Sequence, residues 1–248
     1  MTDILYEHPL NERIRNYLKL EQLFQQAHDC QTLPLHSAYP TLFNALFTII
    51  DTLERNDIKG DLIKELEKLE QNMRQWATVP NIDREALQEN LQAASQLIGQ
   101  LKTNSPQWHQ LKDHKLLSSL KQRFAIQGGS SIFDLPQLQF WLHLPSTITA
   151  QDITLWLTNL GQIEQSIALI LKFIRLRNEF ETISTDSGFY QDSGEGILLL
   201  RIKIANNADF YPTISGNRFR YSIRFMLPCE QQGRRYSNQA TTFQLARC

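Results

Sequence analysis

Along the first two-thirds of the chain, apolar residues recur at helical spacing. Ile14, Tyr17, Leu18 and Phe24 share one face behind Asn11, whose side chain suits a helix start. Residues 39–53 carry Leu42, Leu46, Ile49, Ile50 and Leu53. A third run opens at Asp61. Its residues Leu62, Leu66, Leu69, Met73 and Trp76 step alternately by four and three, the spacing of two helices packed side by side, and Pro80 stops it. Asp83 precedes a fourth helix with Leu87, Leu91, Ala94, Ile98 and Leu101 on one stripe, ended by Pro106. Residues 111–124 predict a shorter helix. Asp134-Leu135-Pro136 reads as another start, with Leu138, Trp141 and Leu142 as its buried side. Residues 152–180 predict the longest helix, with an apolar surface wide enough for the centre of a helical body or a subunit contact.

The period then changes. In 197–204, Leu198, Leu200, Ile202 and Ile204 fall on one side, and Ile197, Leu199, Arg201 and Lys203 on the other. In 217–227, Phe219, Tyr221, Ile223, Phe225 and Leu227 alternate with Arg218, Arg220, Ser222, Arg224 and Met226. Residues 241–246 form a third candidate strand around Phe243 and Leu245. Period-two alternation is the mark of a half-buried antiparallel sheet. The class expected is α+β, a mainly α-helical bundle domain with a C-terminal antiparallel β-sheet domain. The expected division assigns 1–120 and 150–182 to the helical domain, and 121–149 and 183–248 to the β-domain.

Composition narrows this picture. A 248-residue chain that is 42% apolar is too hydrophobic to be disordered and long enough for a substantial core. Cys30, Cys229 and Cys248 lie far apart, without the spacing of a zinc module or a disulfide scaffold, so a reducing compartment is expected. The N-terminal residues do not read as a secretory signal. The most apolar stretches, such as 167–171, fall far short of the roughly 20 residues a membrane helix needs, so a cytoplasmic location is expected.

Charge adds an asymmetry. Residues 196–248 hold eight bases (Arg201, Lys203, Arg218, Arg220, Arg224, Arg234, Arg235 and Arg247) against two acids, Asp209 and Glu230, although the whole chain carries a net charge of −1. Phosphate-loop, dinucleotide, zinc-protease and serine-hydrolase motifs are missing from the sequence, and its six histidines lack metal-ligand spacing. Neither catalysis nor a cofactor is expected. Gly128-Gly129-Ser130-Ser131 reads as a turn, with a hydrolase built on Ser130 as a remote alternative.

The basic ladder is the feature with chemical consequence. Same-face neighbours on a strand stand about 6.6 Å apart, where like charges repel by roughly 0.6 kcal/mol in water. Arg201 and Lys203 join Arg218, Arg220 and Arg224 if both strands share a sheet. Three readings follow. The acidic remainder of the chain or water neutralises the ladder. An acidic segment of another protein docks on it, since the guanidinium fork binds carboxylates in pairs. Or single-stranded nucleic acid binds there. The alternation turns Phe219, Tyr221 and Phe225 away from the arginines, which disfavours base stacking and the nucleic-acid reading.

Several segments together are similar to the ZapD family of bacterial cell-division proteins. They are Glu7-His8-Pro9-Leu10-Asn11-Glu12, Gly128-Gly129, Phe133-Asp134-Leu135-Pro136, Trp141-Leu142-His143-Leu144-Pro145, Gly188-Phe189-Tyr190-Gln191-Asp192, Tyr211-Pro212 with Ile214-Ser215-Gly216, and Ile223-Arg224-Phe225-Met226. The resemblance implies a cytoplasmic homodimer with a helical domain and a β-domain. It also implies binding to the C-terminal tail of FtsZ, the tubulin-like division GTPase, and bundling of FtsZ filaments at mid-cell. Basic residues carry that binding in the family; the matching positions are Arg15, Arg220 and Arg224. Where the family has Cys after the glycine pair, this chain has Ser130-Ser131, and Gln139 replaces a family His.

Overall fold

The computed structural model describes residues 3–78, 83–103, 107–228 and 235–248. Pro80, Pro106, Cys229, Glu230 and Arg234 lie outside them. The fold is α+β, as the two periodicities predict: helices fill the N-terminal two-thirds, and antiparallel strands dominate the C-terminal region.

Two compact units result, one of residues 1–18 and 171–248, the other of residues 19–170. The expected division differs from these units in three places, at 1–18, 121–149 and 171–182. Residues 121–149 contain helices and a 3₁₀ turn but no strand. The first strand, β1 (Ile4–Pro9), belongs to a sheet, where it pairs with β4 (Leu199–Ile204). Its partner lies nearly 200 residues away, so no local pattern announces it.

The helical unit follows its sequence signals closely. Helix α1 (Glu12–Asp29) starts where Ile14 N–H donates to Asn11 Oδ1 at 2.9 Å. Helix α2 (Leu35–Arg55) buries Leu42, Phe43, Leu46, Phe47, Ile49 and Ile50. Helix α3 (Ile58–Trp76) opens at Asp57, four residues before the expected Asp61, because the Asp57 carboxylate accepts from Gly60 N–H at 3.1 Å. Helix α4 (Arg84–Thr103) is capped by Asp83, which accepts from Glu85 and Ala86 N–H at 3.1 Å each. Buried Leu62, Leu66, Leu69 and Met73 of α3 face buried Ala94, Leu97, Ile98 and Leu101 of α4 in a helical hairpin.

The expected 111–124 helix is split into α5 (His109–Lys112) and α6 (Lys115–Phe124), with His114 Nδ1 accepting from Leu117 N–H at the second start. Helix α7 (Pro136–Leu142) begins at proline, but Asp134 lies in a preceding 3₁₀ turn and does not cap it. Helix α8 (Ser146–Arg175) is the longest at 30 residues. It is shifted towards the N-terminus of the expected 152–180 segment. An aromatic cluster of Phe43, Phe47, Phe124, Trp141 and Trp156, with ring centroids 5.4–5.9 Å apart, fills the core of this unit. Trp141 Nε1 donates to Asp152 at 2.8 Å.

The other unit is built on two antiparallel sheets. One has the order β1-β4-β8-β2, with β2 at Glu181–Thr185 and β8 at Thr241–Arg247. The other has the order β3-β6-β5, with β3 at Phe189–Ser193, β5 at Tyr211–Gly216 and β6 at Arg220–Leu227, and the short β7 (Arg235–Tyr236) pairs with the end of β6. Leu200, Ile202, Ile204, Phe243 and Leu245 from the first sheet and Tyr221, Ile223 and Phe225 from the second form one core with Leu10. Alternating residues of β4, β6 and β8 therefore meet as the face-to-face layers of a sandwich. The strands expected at 197–204 and 217–227 are present with their starts trimmed, and the one expected at 241–246 runs one residue further, to Arg247. Strand β6 starts at Arg220 because Asn217 Oδ1 accepts from Phe219 and Arg220 N–H at 2.9 and 3.3 Å, holding 217–219 in a turn. Among the described residues no helix is long and apolar enough to cross a membrane.

Candidate functional site: an arginine and aromatic sheet face

The register of the second sheet decides which side chains share its outer face. Arg224 pairs with Phe189 on β3 and Thr213 on β5; Ser222 pairs with Gln191 and Ser215; Arg220 pairs with Ser193. Met226 pairs with Tyr211 and Tyr236. Directly opposed residues point to the same side, so these side chains line one surface. Among the described residues it contains no carboxylate. The acid of β3, Asp192, lies opposite Tyr221, on the other side of the sheet, where it pairs with Arg247.

Arg220 and Arg224 are exposed, and neither has a carboxylate within ion-pair distance among the described residues. Arg220 borders a polar recess of about 290 Å³ lined by Gln191, Ser215, Asn217 and Ser222. Arg224 sits between two rings: its guanidinium carbon is 4.9 Å from the Phe189 centroid and 4.5 Å from that of Tyr236. Arg218 is also exposed, but in the turn before β6, with its guanidinium 4.6 Å from the Phe219 ring.

Arg15 lies on the first turns of α1, exposed and within 3.5 Å of Glu12. Leu10, just before this helix, packs into the sandwich beside Gly216 and Tyr221, so the start of α1 is tied to the end of the sheet that carries Arg220. Burial and the Arg15 charge push the His8 imidazole below its ordinary value.

Arg201 and Lys203 do not join this face. They stand on β4, in the other sheet. Arg201 Nε donates to Glu7 at 2.9 Å, and its Nη1 donates to the Arg175 carbonyl at 3.1 Å. Arg175 grips the same Glu7 through Nε and Nη2, at 2.9 and 2.7 Å. Lys203 lies over Phe180 at 4.0 Å. Arg247 is held internally by Glu181, Asp192, Tyr190 and Tyr221. The basic surplus of the C-terminal segment thus divides: Arg201 and Arg247 are neutralised within the fold, while Arg218, Arg220 and Arg224 remain open.

The aromatic side chains depart from the expected pattern. Phe219 is 65% exposed, because it precedes the strand and escapes its alternation. Phe189 and Tyr236, 36% and 54% exposed, stand on the arginine face and not opposite it. For Phe189 the signal was present in the Gly188–Asp192 motif; for Tyr236 there was none. Gly188 has φ +60°, and a Cβ there would stand 2.3 Å from the Ser237 carbonyl oxygen, so glycine lets the start of β3 meet the end of β7. The Gly128-Gly129 pair is a turn, with Gly128 at φ +77° and the Ser131 hydroxyl donating back to the Gly128 carbonyl at 2.9 Å.

Fold and surface together define an α+β protein whose β-sandwich presents a cationic face, without a countercharge among the described residues and flanked by aromatic rings. The family model of ZapD, described as a cell division protein, matches residues 18–224. The chain is 40% identical over 247 residues to the cell division protein ZapD of Idiomarina loihiensis, covering 99% of this chain and 96% of that one. It is 36% identical over 245 residues to that of Pectobacterium atrosepticum, covering 99% and 97%, and 35% identical over 246 residues to that of Serratia proteamaculans, with the same coverage. The chain belongs to the ZapD family of cell division proteins.

Proposed function

We propose that this protein is a non-enzymatic, cytoplasmic adaptor that binds the C-terminal tail of FtsZ and, as a homodimer, cross-links FtsZ filaments at the mid-cell division site. The observation that carries this reading is the outer face of the second sheet, where Arg220 and Arg224 stand exposed with no carboxylate in ion-pair range among the described residues. Arg218 flanks that face and Arg15 extends the basic surface; Arg201 and Lys203 lie on the other sheet and contribute only if the tail reaches it. An acidic, flexible tail supplies the missing charge. It loses entropy on ordering, so each contact is weak, and a dimer with two such faces gains avidity on a filament that displays many tails.

Sedimentation tests this. Arg220→Glu or Arg224→Glu abolishes co-pelleting and bundling of FtsZ filaments while the dimer stays folded by circular dichroism and gel filtration. Unchanged pelleting removes the face from the site.

A second reading, binding of single-stranded nucleic acid, draws support from Phe189, Tyr236 and Phe219 beside the arginines, since bases stack on such rings. The net charge of −1 opposes it. A gel-shift titration decides: strong retardation of an oligonucleotide at 0.15 M salt favours nucleic acid.

A further inference from the structure

The sheet register gives Arg224 a setting that Arg220 lacks. Strands β3 and β7 lie end to end on the same side of β6, because β3 pairs with residues 220–224 and β7 with 226–227. Phe189 at the start of β3 and Tyr236 at the end of β7 therefore bracket Arg224 from two directions. Gly188 makes the junction possible: its carbonyl accepts from Phe225 N–H at 2.9 Å, while Phe225 O accepts from Ser237 N–H at 2.9 Å. Both rings remain substantially exposed although they touch the guanidinium. Tyr211, 36% exposed, stands across β6 opposite Met226 and extends the apolar edge.

A carboxylate alone needs only the guanidinium fork. The rings add two things: they hold the fork in place, so less side-chain entropy is lost on binding, and they offer apolar surface beside the charge. We infer that Phe189, Tyr236 and Arg224 form one composite pocket, which recognises a carboxylate followed immediately by an aromatic or large aliphatic side chain in an extended acidic segment. Arg220 and its polar recess take a further carboxylate with no such requirement. The choice of occupant rests on the proposed tail-binding reading and on charge complementarity. The ring requirement rests on the geometry of Arg224.

The test uses the full-length protein and fluorescence anisotropy. The probes are a short acidic peptide with phenylalanine after one carboxylate, the same peptide with serine in its place, the FtsZ tail peptide, and a single-stranded oligonucleotide. The phenylalanine peptide binds about fivefold to tenfold tighter than the serine peptide. Phe189→Ala or Tyr236→Ala erases that preference and leaves the serine peptide nearly unaffected, whereas Tyr236→Phe keeps it. Arg224→Glu weakens both peptides. If Arg224→Glu abolishes FtsZ-tail binding while both ring variants bind every peptide normally, the composite pocket is refuted and the tail reading survives. If the phenylalanine peptide binds in a ring-dependent way but the FtsZ tail does not, the pocket stands and the tail reading falls. Ring-dependent binding of the oligonucleotide with no peptide binding, or no binding of any probe, overturns the inference.

Discussion

Arg247 and Arg224 are both arginines on antiparallel strands, yet their surroundings give them opposite roles. Arg247 points into the sandwich. Its Nε donates to the Tyr221 hydroxyl at 2.8 Å and its Nη2 to the Tyr190 hydroxyl at 2.6 Å, and Glu181 and Asp192 supply the countercharge. Tyr190 also donates to Asp192 at 2.9 Å. Burial, reinforced by the Asp192 carboxylate, pushes the Tyr190 phenol up to about 12, and burial with the neighbouring Tyr190 and Asp192 raises Tyr221 further. Both phenols thus stay neutral in the folded state at pH values where an unfolded tyrosine, near 10, ionises. Their contribution to stability is complete below about pH 10 and is lost as pH rises towards 12 and beyond. The urea midpoint is therefore expected to fall between pH 10 and 12, and Tyr190→Phe to flatten that fall; a wild-type slope retained in the variant refutes the assignment. At neutral pH, Tyr221→Phe leaves the Arg247 Nε short of an acceptor and costs about 1–2 kcal/mol by the same measurement. Little of this was legible in the sequence. Charge counting lists Arg201 and Arg247 among the eight bases of 196–248 without separating them from the open ones, because it does not see Glu7 or Glu181 approaching from distant strands.

Legibility at the scale of elements follows the range of the interactions. Helices α1 and α4 carry their start signals within three residues of themselves, in Asn11 and Asp83, and the chain shows them; that of α3, Asp57, is as local but was passed over for Asp61. Strands β4, β6 and β8 bury one face, so they alternate. Strands β3 and β5 were missed for a physical reason: they lie at the edges of the second sheet, are mostly polar or exposed, and β5 contains Pro212. The site suffers most from this. Half of the arginine face comes from edge strands, and the ring positions Phe189 and Tyr236 make sense only once the register is known. Gly188 is the element-scale vulnerability. With φ at +60° and the Ser237 carbonyl 2.3 Å from a would-be Cβ, Gly188→Ala is strained twice. A left-handed alanine alone costs about 1–2 kcal/mol, and relieving the contact separates β3 from β7. The expected result is a lower urea midpoint together with weaker tail binding, since Phe189 and Tyr236 part. A variant with unchanged stability and affinity shows that the junction does not shape the face.

The two properties proposed for the whole molecule, weak capture of single tails and strong bundling of filaments, make a joint prediction. A dimer bridges filaments only when both faces are free to engage. If free tail peptide fills a fraction of the faces independently, the fraction of dimers with both faces open falls as the square of the remainder. At half occupancy only about a quarter of the dimers can still bridge, while about three quarters keep at least one face and can decorate a filament. Bundling, followed by light scattering, is therefore expected to collapse at a lower peptide concentration than co-pelleting of the protein. Salt acts on the same square. Screening weakens each exposed arginine–carboxylate contact, so raising ionic strength removes bundles before it removes bound protein. Mixed dimers sharpen the test: one wild-type and one Arg224→Glu protomer leave a single competent face, which still pellets with filaments but no longer bundles them. Parallel loss of bundling and pelleting in all three experiments places the cross-link somewhere other than two independent sheet faces.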